Sequence, residues 1–257
     1  MFSGRMTSRR RIRDEGEKPF WISYSDLMTA LMVLFLVVMS VSLLVITREL
    51  LEQQKELVIA KQMMDALKAK REERQKAIDK VMNQLDAAVN NSIYTGKVHI
   101  GRDRRVVEFG NAAQFDKGNF HLTLDGEKTL RDFVPVILTA VDGDAGKIWF
   151  KRVVVEGFTD TDGSYLYNLD LSLKRAQSVV CALLDVTAAN KLNENQQKKV
   201  REIFLVGGFS FNSAKDSKIA SRRVELRLDF QTIEENELLP EVNASAQTAE
   251  IGKCQLK

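Results

Sequence analysis

Three ionisable side chains stand where their surroundings suggest chemistry. Asp26 lies near the start of the apolar run FWISYSDLMTALMVLFLVVMSVSLLVI (residues 20–46), and the twenty residues after it, 27–46, carry no charge. An acid inside a membrane helix costs at least about 2.5–3.5 kcal/mol on insertion scales. Two roles are open to it. One is an interfacial group that caps the helix or reaches the headgroups. The other is an acid that faces a partner helix or a wet channel and picks up and releases a cation. The aspartate side chain is short and sits about a turn and a half beyond Phe20, and Lys or Arg would reach an interface better. These points favour the second role. The other two side chains are Asp160, on the loop after a predicted strand, and Arg175, on the predicted helix that follows. An acid and a planar guanidinium suit a zwitterion, one taking an ammonium and the other a carboxylate. Taken by themselves they read first as an ordinary surface ion pair worth little.

Other chemistries lack a signature. The two cysteines, Cys181 and Cys254, form no CxxC pair, and His99 and His121 are far apart without ligand spacing. There is no GxxxxGK[ST] phosphate cradle and no nucleophile elbow. Nothing points to an enzyme, a bound metal or an organic cofactor. The 257 residues fit one membrane segment plus one ordinary domain, or two small domains. The formal net charge of +3 gives no reason to expect nucleic-acid binding.

Asp26 must be carried by the apolar run. A bilayer core of about 30 Å takes about 20 residues of helix. The run exceeds a signal-peptide core of about 7–15 residues, and Arg48 and Glu49 follow it instead of a cleavage site. It therefore reads as an uncleaved anchor. The N-terminal flank holds Arg5, Arg9, Arg10, Arg11, Arg13 and Lys18. Such a flank keeps the N-terminus in the cytoplasm, which puts everything after Ile46 in the periplasm of a Gram-negative cell. Trp21 and Tyr24 suit the cytoplasmic interface. The periplasm permits disulfides, so Cys181 and Cys254 either pair, tying the C-terminal tail to the domain, or remain free.

Residues 47–90 contain no Pro or Gly and carry nine Lys or Arg against eight acids. Leu43, Leu50, Leu57, Met64, Ile78 and Leu85 share one heptad register, interrupted by Arg71; Ile46, Ala60, Leu67, Val81 and Ala88 share the register three residues on, interrupted by Gln53 and Arg74. This is a seam with a polar break, suited to self-pairing or to a solvated, stiff spacer. Fully helical, it would reach roughly 66 Å.

The remainder alternates strand and helix patterns. Strands are expected over 104–109, 148–158, 201–209 and 222–230. Helices are expected over 124–141, with Asp125 as a candidate cap and Pro135 bending or ending it, and over 167–186. GDAGK (143–147) reads as a turn, and the tail from Glu234 as polar and loosely ordered. The order argues an α+β or α/β sandwich of ordinary domain size.

Two resemblances are carried by these residues. FWISYSDLMTALMVLFLVV is similar to the transmembrane motif of the B subunits of ion-driven rotary stators of the MotB type, with Trp21, Tyr24, Asp26, Leu27, Met28, Thr29, Leu31 and Phe35 matching. VVVEGFTDTDG, NLDLSLKRAQSV and SRRVELRL resemble, in order and spacing, the three motifs of OmpA-like peptidoglycan-binding domains over roughly residues 105–230. Phe158 stands where that family has His, and Ser221 where it has Asn.

The stator resemblance implies that Asp26 translocates the ion. H⁺ is favoured because proton carriage needs only the carboxylate, whereas Na⁺ needs further oxygen ligands. It also implies a homodimer of B chains inside a ring of five multi-helix A subunits. The OmpA resemblance implies that Asp160 and Arg175 bind the zwitterionic diaminopimelate-type residue of peptidoglycan, with Thr159, Asn168, Leu171 and Ser172 shaping the site. Arg222 and Arg223 either line that cleft or face solvent. Among stator B subunits, the short basic N-terminus, the flavour of the span and the compact length resemble the ZorB subunits of the Zorya anti-phage defence system more than flagellar MotB. A flagellar-type stator subunit and a purely structural envelope tether are the alternatives.

The expected architecture is a membrane-anchored α+β chain with a single transmembrane helix. It comprises a cytoplasmic tail (1–19), the transmembrane helix (20–46), a helical periplasmic connector (47–92), an OmpA-like α/β sandwich that binds peptidoglycan (93–232) and a C-terminal tail (233–257).

Overall fold

The computed structural model describes residues 18–90, 93–237, 252–254 and 256, with side chains from residue 24 onward. The basic tail up to residue 17 and the side chain of Trp21 lie outside the described residues. Helix α1 runs Lys18–Asn90. Pro19 is tolerated in its first turn, where a missing N–H costs nothing, and no further Pro or Gly occurs before Gly96. Its most apolar 18-residue stretch has a mean hydropathy of 2.8 and is fully exposed, long and apolar enough to cross a membrane. Two hydroxyls of the apolar stretch, those of Thr29 and Ser40, are satisfied by the helix's own backbone. Thr29 Oγ1 lies 3.0 Å from the Ser25 carbonyl oxygen and 2.9 Å from that of Asp26, and Ser40 donates to Leu36 at 2.7 Å.

The chain divides into two compact units, residues 1–67 and 68–257. The second begins well before the boundary expected at 92/93. Seam residues up to Met64 are exposed, whereas Ile78, Val81 and Leu85 are buried with Ala77, Met82 and Val89 in the core of the second unit. A heptad stripe and the apolar stripe of a domain helix look alike in sequence. Here the last turns of α1 use theirs intramolecularly. Arg74, at the polar break, donates through Nε to the Gln231 carbonyl at 2.6 Å, and Arg102 bonds Asp86 and Asn83.

The second unit is built on a five-stranded sheet of order β1-β2-β5-β3-β4: β1 (His99–Gly101), β2 (Val106–Glu108), β3 (Phe150–Gly157), β4 (Phe204–Gly208) and β5 (Val224–Phe230). The β3–β4 pair is parallel and the other pairs are antiparallel. β5 alternates Val224, Leu226, Leu228 and Phe230 into the core with Glu225, Arg227 and Asp229 on the opposite face. That polar face is laced by ion pairs of Arg227 with Glu156 and Asp229, and of Arg152 with Asp229. The helices α2 (Leu124–Asp142) and α4 (Tyr165–Leu184) supply Leu130, Phe133, Ile137, Val179 and Leu183 to the core. The expected α+β class is the one observed.

Several local readings change. Thr123, not Asp125, caps α2, accepting from Gly126 N at 3.0 Å. Pro135 does not end α2, because buried Phe133, Val134, Ile137 and Leu138 hold the helix through it; their burial outweighs the roughly 3 kcal/mol an internal proline costs. GDAGK is not a bare turn: it enters α3 (Asp144–Trp149), with Gly143 as N-cap. The helix α5 (Glu194–Ile203), closed by an Asn193/Gln196 capping box, and strand β1 add to the expected elements. The tail from Glu234 is not wholly loose, since α6 (Ile233–Glu237) follows β5. The structure joins Cys181 on α4 to Cys254 by a disulfide, with a Cα–Cα distance of 5.7 Å.

Candidate functional site

Two places carry the residues singled out by their chemistry, one in each compact unit. Asp26 lies exposed on α1 as the only charged residue between Lys18 and Arg48. The other residues converge at the C-terminal end of β3.

Close packing of α4 on the sheet brings them together. A side chain at Gly157 would collide with the Ser172 carbonyl, and one at Gly208 would lie 2.8 Å from Ser172 Oγ. Glycine at both positions lets α4 approach β3 and β4 at the point where the strands stop. Ser164 caps α4. Gly163, at φ +99, turns the chain between strand and helix, and Asn168 Nδ2 pins that turn by donating to the Asp162 carbonyl at 2.9 Å. Ser172 Oγ donates to Leu169 O at 2.8 Å and accepts from Ser210 N at 3.0 Å. Ser210 has φ 53, a conformation that non-glycine residues adopt rarely, and its carbonyl takes the Thr159 N–H at 2.9 Å. Leu171 and Asn168 are buried beside these contacts. Thr159 Oγ1 is buried beside Asp160 and has no hydrogen-bond partner among the described residues.

Asp160 and Arg175 both lie at this end of the sheet, but they do not form a surface pair. Arg175 is fully buried. Its Nε donates to Asn119 O at 2.8 Å, Nη1 to Phe158 O at 2.8 Å and Nη2 to Asp116 O at 3.1 Å, and the guanidinium lies 5.0 Å from the Phe115 ring centre. Burial pulls its pKa down to about 10, with Asp160 opposing the shift, so it stays charged at neutral pH. Asp160 Oδ1 accepts from Asp162 N at 3.0 Å, and Oδ2 accepts from Arg222 Nη1 at 3.0 Å.

Arg222 is therefore the cation paired with Asp160. The sequence left Arg222 and Arg223 open between cleft and solvent. The structure puts Arg222 beside Asp160, held by its Nε bond to Phe115 O at 2.9 Å. Arg223 is buried over the Phe158 ring at 4.3 Å and paired with Glu225 at 2.6 Å. Further rim residues carried no signal in sequence: Asp162 is bridged by Lys117 at 3.0 Å and Lys218 at 2.5 Å. The two motif departures are internal. Phe158 also packs on Phe209, with 5.5 Å between ring centres, while Ser221 Oγ accepts from Lys215 N at 2.9 Å and donates to Ser217 O at 2.8 Å.

Comparison with known proteins covers both places. Residues 7–67 match the MotB plug family, described as membrane MotB of the proton-channel complex MotA/MotB, and residues 114–191 match the OmpA family. The Zorya protein ZorB of Escherichia coli O139:H28 (strain E24377A / ETEC) is 44% identical over 232 residues, which is 90% of this chain and 88% of that protein. Among solved structures, a putative MotB-like protein from Desulfovibrio vulgaris is 13% identical over 62% of this chain and 96% of its own, with a TM-score of 0.43. The cell wall anchor of the T6SS from Pseudomonas aeruginosa is 20% identical over 57% of this chain and 97% of its own, with a TM-score of 0.38.

Proposed function

The chain belongs to the ZorB family, and from that premise we propose how its two sites work as one device. It is a non-enzymatic, peptidoglycan-anchored stator B subunit with a single span of the inner membrane, acting with a partner A subunit. The observation that carries this reading is the 44% identity over 90% of the chain, a stretch long enough to include span and outer domain together.

In this reading the N-terminus is cytoplasmic and Asp26 sits near the cytoplasmic end of the span. Two B chains stand inside a ring of five A chains. Each Asp26 takes up and releases H⁺ at its interface with the ring, a carboxylate being sufficient for that ion. Protonation neutralises the one charge on the apolar face, which lowers the cost of moving that face past hydrocarbon-like surroundings. Ion flow then turns the ring around the B pair. The cleft formed by Thr159, Asp160, Asn168, Leu171, Ser172 and Arg175 holds the pair against peptidoglycan, so torque acts on the ring and not on the anchor. The machine driven is an anti-phage defence complex.

Substituting Asp26→Asn tests the reading. The A–B complex should still assemble and still bind sacculi, while ion uptake by reconstituted vesicles and phage protection in cells are both lost. Retention of full protection by Asp26→Asn would return the chain to a structural tether. For the ion, uptake should follow an imposed pH gradient in sodium-free buffer.

A further inference from the structure

We propose that the outer edge of β4, Phe204–Gly208, is the surface on which the outer domains of two copies of this chain join, by antiparallel pairing of the two β4 strands about Val206. The inference rests on the reading above, which sets two B chains side by side, and gives their outer domains a shared surface.

Among the described residues β4 has a neighbour on one side only, β3. Phe209 N–H donates to Gly157 O, so the alternation of a strand turns the main-chain groups of Phe204, Val206 and Gly208 away from β3. Exposed edges are ordinarily defended by a charge, a proline or a bulge. This one is not. IFLVGGF (residues 203–209) is an unbroken apolar run, and Leu205 and Val206 stay 45% and 38% exposed. The opposite edge, β1, is three residues long and flanked by Lys97 and Arg102. The apolar surface of β4 continues onto α4. A side chain at Gly208 would come within 2.9 Å of Leu173 N and 3.0 Å of Leu169 O, so this face of α4 lies over the edge strand. Leu166 shares that face by helical spacing, and Leu166 and Leu173 are 74% and 44% exposed.

The residue order of the strand selects its occupant. Antiparallel pairing of β4 with itself about Val206 sets Val206 opposite Val206, Leu205 opposite Gly207 and Phe204 opposite Gly208 of the second copy. Each large side chain then faces a residue that has none. The two Val206 residues exchange N–H···O bonds, and each Gly208 N–H meets the Phe204 carbonyl across the joint. Phe204 N–H is already bound to Val200 O, so only the Gly208 carbonyl is left to water. A foreign extended segment would gain the same main-chain bonds but would not account for large residues followed by glycines, an order complementary to its own reversal. The α4 stripes flank the joint on one face of the continued sheet and add apolar area to it. Two α1 helices leading into one membrane complex hold the copies close, which favours even a short contact.

The test adds one cysteine to the full-length chain, whose native pair is already closed on itself, and oxidises it mildly in native membranes. Val206→Cys sets two thiols across the joint at a Cα–Cα distance of about 5.5 Å, inside the disulfide range. It should give a homodimer bridged at residue 206, mapped by peptide mass. Leu124→Cys, at a more exposed position on α2, should not. Adding Leu205→Glu, which puts a charge on the edge, should lower the Val206→Cys yield at least about fivefold while the protein melts near wild type; Leu205→Lys gives the same readout if the Glu variant melts early. Native mass spectrometry of the full-length chain in detergent separates the failures. A monomer would overturn the two-copy reading and the joint with it. A dimer with equal crosslinking at 206 and 124, or with a yield that the Leu205 variants leave unchanged, would overturn the joint alone. A crosslink from residue 206 to a different polypeptide would overturn it in favour of that partner.

Discussion

Arg175 Nη1 donates to the carbonyl oxygen of Phe158 at 2.8 Å, so the arginine of the helix motif is bonded to the residue that replaces the motif's histidine. The bond uses the backbone of Phe158, which is why the exchange of side chain leaves it intact. With the bonds to Asp116 and Asn119, it makes Arg175 a clasp between β3, α4 and the segment after the 3-10 turn Gly110–Ala113.

Arg175→Ala is accordingly expected to cost stability as well as binding. Three carbonyls, that of Phe158 buried and those of Asn119 and Asp116 part-buried, would lose a charged donor, worth about 3 kcal/mol or more together. Arg175→Lys should recover less than half, because an ammonium cannot span the three positions of a planar fork. Urea unfolding of the full chain measures this. An Arg175→Ala variant with unchanged midpoint but no sacculi binding would mean the guanidinium serves the ligand directly.

The last turns of α1 are expected to behave as core. Leu85 is fully buried, and Leu85→Ala should destabilise the outer domain by about 2–5 kcal/mol. Leu57→Ala, on an exposed turn, should leave it within about 0.5 kcal/mol. A chain begun at residue 68 should fold, whereas one begun at 93, lacking Val81 and Leu85, should not give a cooperative transition. Cooperative melting of the shorter chain would show that the helix is an accessory.

How much of this was legible depended on whether a signal is local. The strands β3 and β5 and the helices α2 and α4 follow from runs and periodicities in consecutive residues, and their expected bounds lie within a few positions of the observed ones. The heptad of α1 gives the right helix but not its partner, because Ile78 and Leu85 repeat at the same spacing whether they meet a second chain or the core of their own domain. The site was half visible. Asp160 and Arg175 could be found from motif spacing, but the pairing of Asp160 with Arg222, 62 residues later, exists only once β5 lies beside β3. Thr159 and Ser210 likewise meet only through the parallel β3–β4 pair.

Removing the disulfide should loosen the tail without disabling the cleft. Cys181 and Cys254 close a loop with a sequence separation of 73 residues. Loop-closure entropy of that size corresponds to about 4 kcal/mol as an upper estimate, with measured bridges typically at about 2–4 kcal/mol. Cys254→Ser, or reduction, should lower the unfolding midpoint accordingly and leave sacculi retention of the folded protein unchanged. An equal midpoint for reduced and oxidised protein would show that the bridge constrains nothing.

The rim pairings give a pH signature of definite sign. Hydrogen bonds from Lys218 and Lys117 pull the Asp162 carboxyl from its ordinary 3.8 down to about 2. A depressed acid contributes stability that is fully present above its unfolded value near 3.8 and is lost as pH falls through about 2. The bridge between Lys117 and Lys218 should therefore be intact throughout pH 5–8, and Asp162 should impose no pH dependence on wall binding in that range. Carboxyl-detected NMR of Asp162 should give a midpoint near 2 at low salt. In 1 M salt, where the screening length falls to about 3 Å, the midpoint should move back toward 3.8. A midpoint near 3.8 at low salt would mean that the two lysines are not held by Asp162.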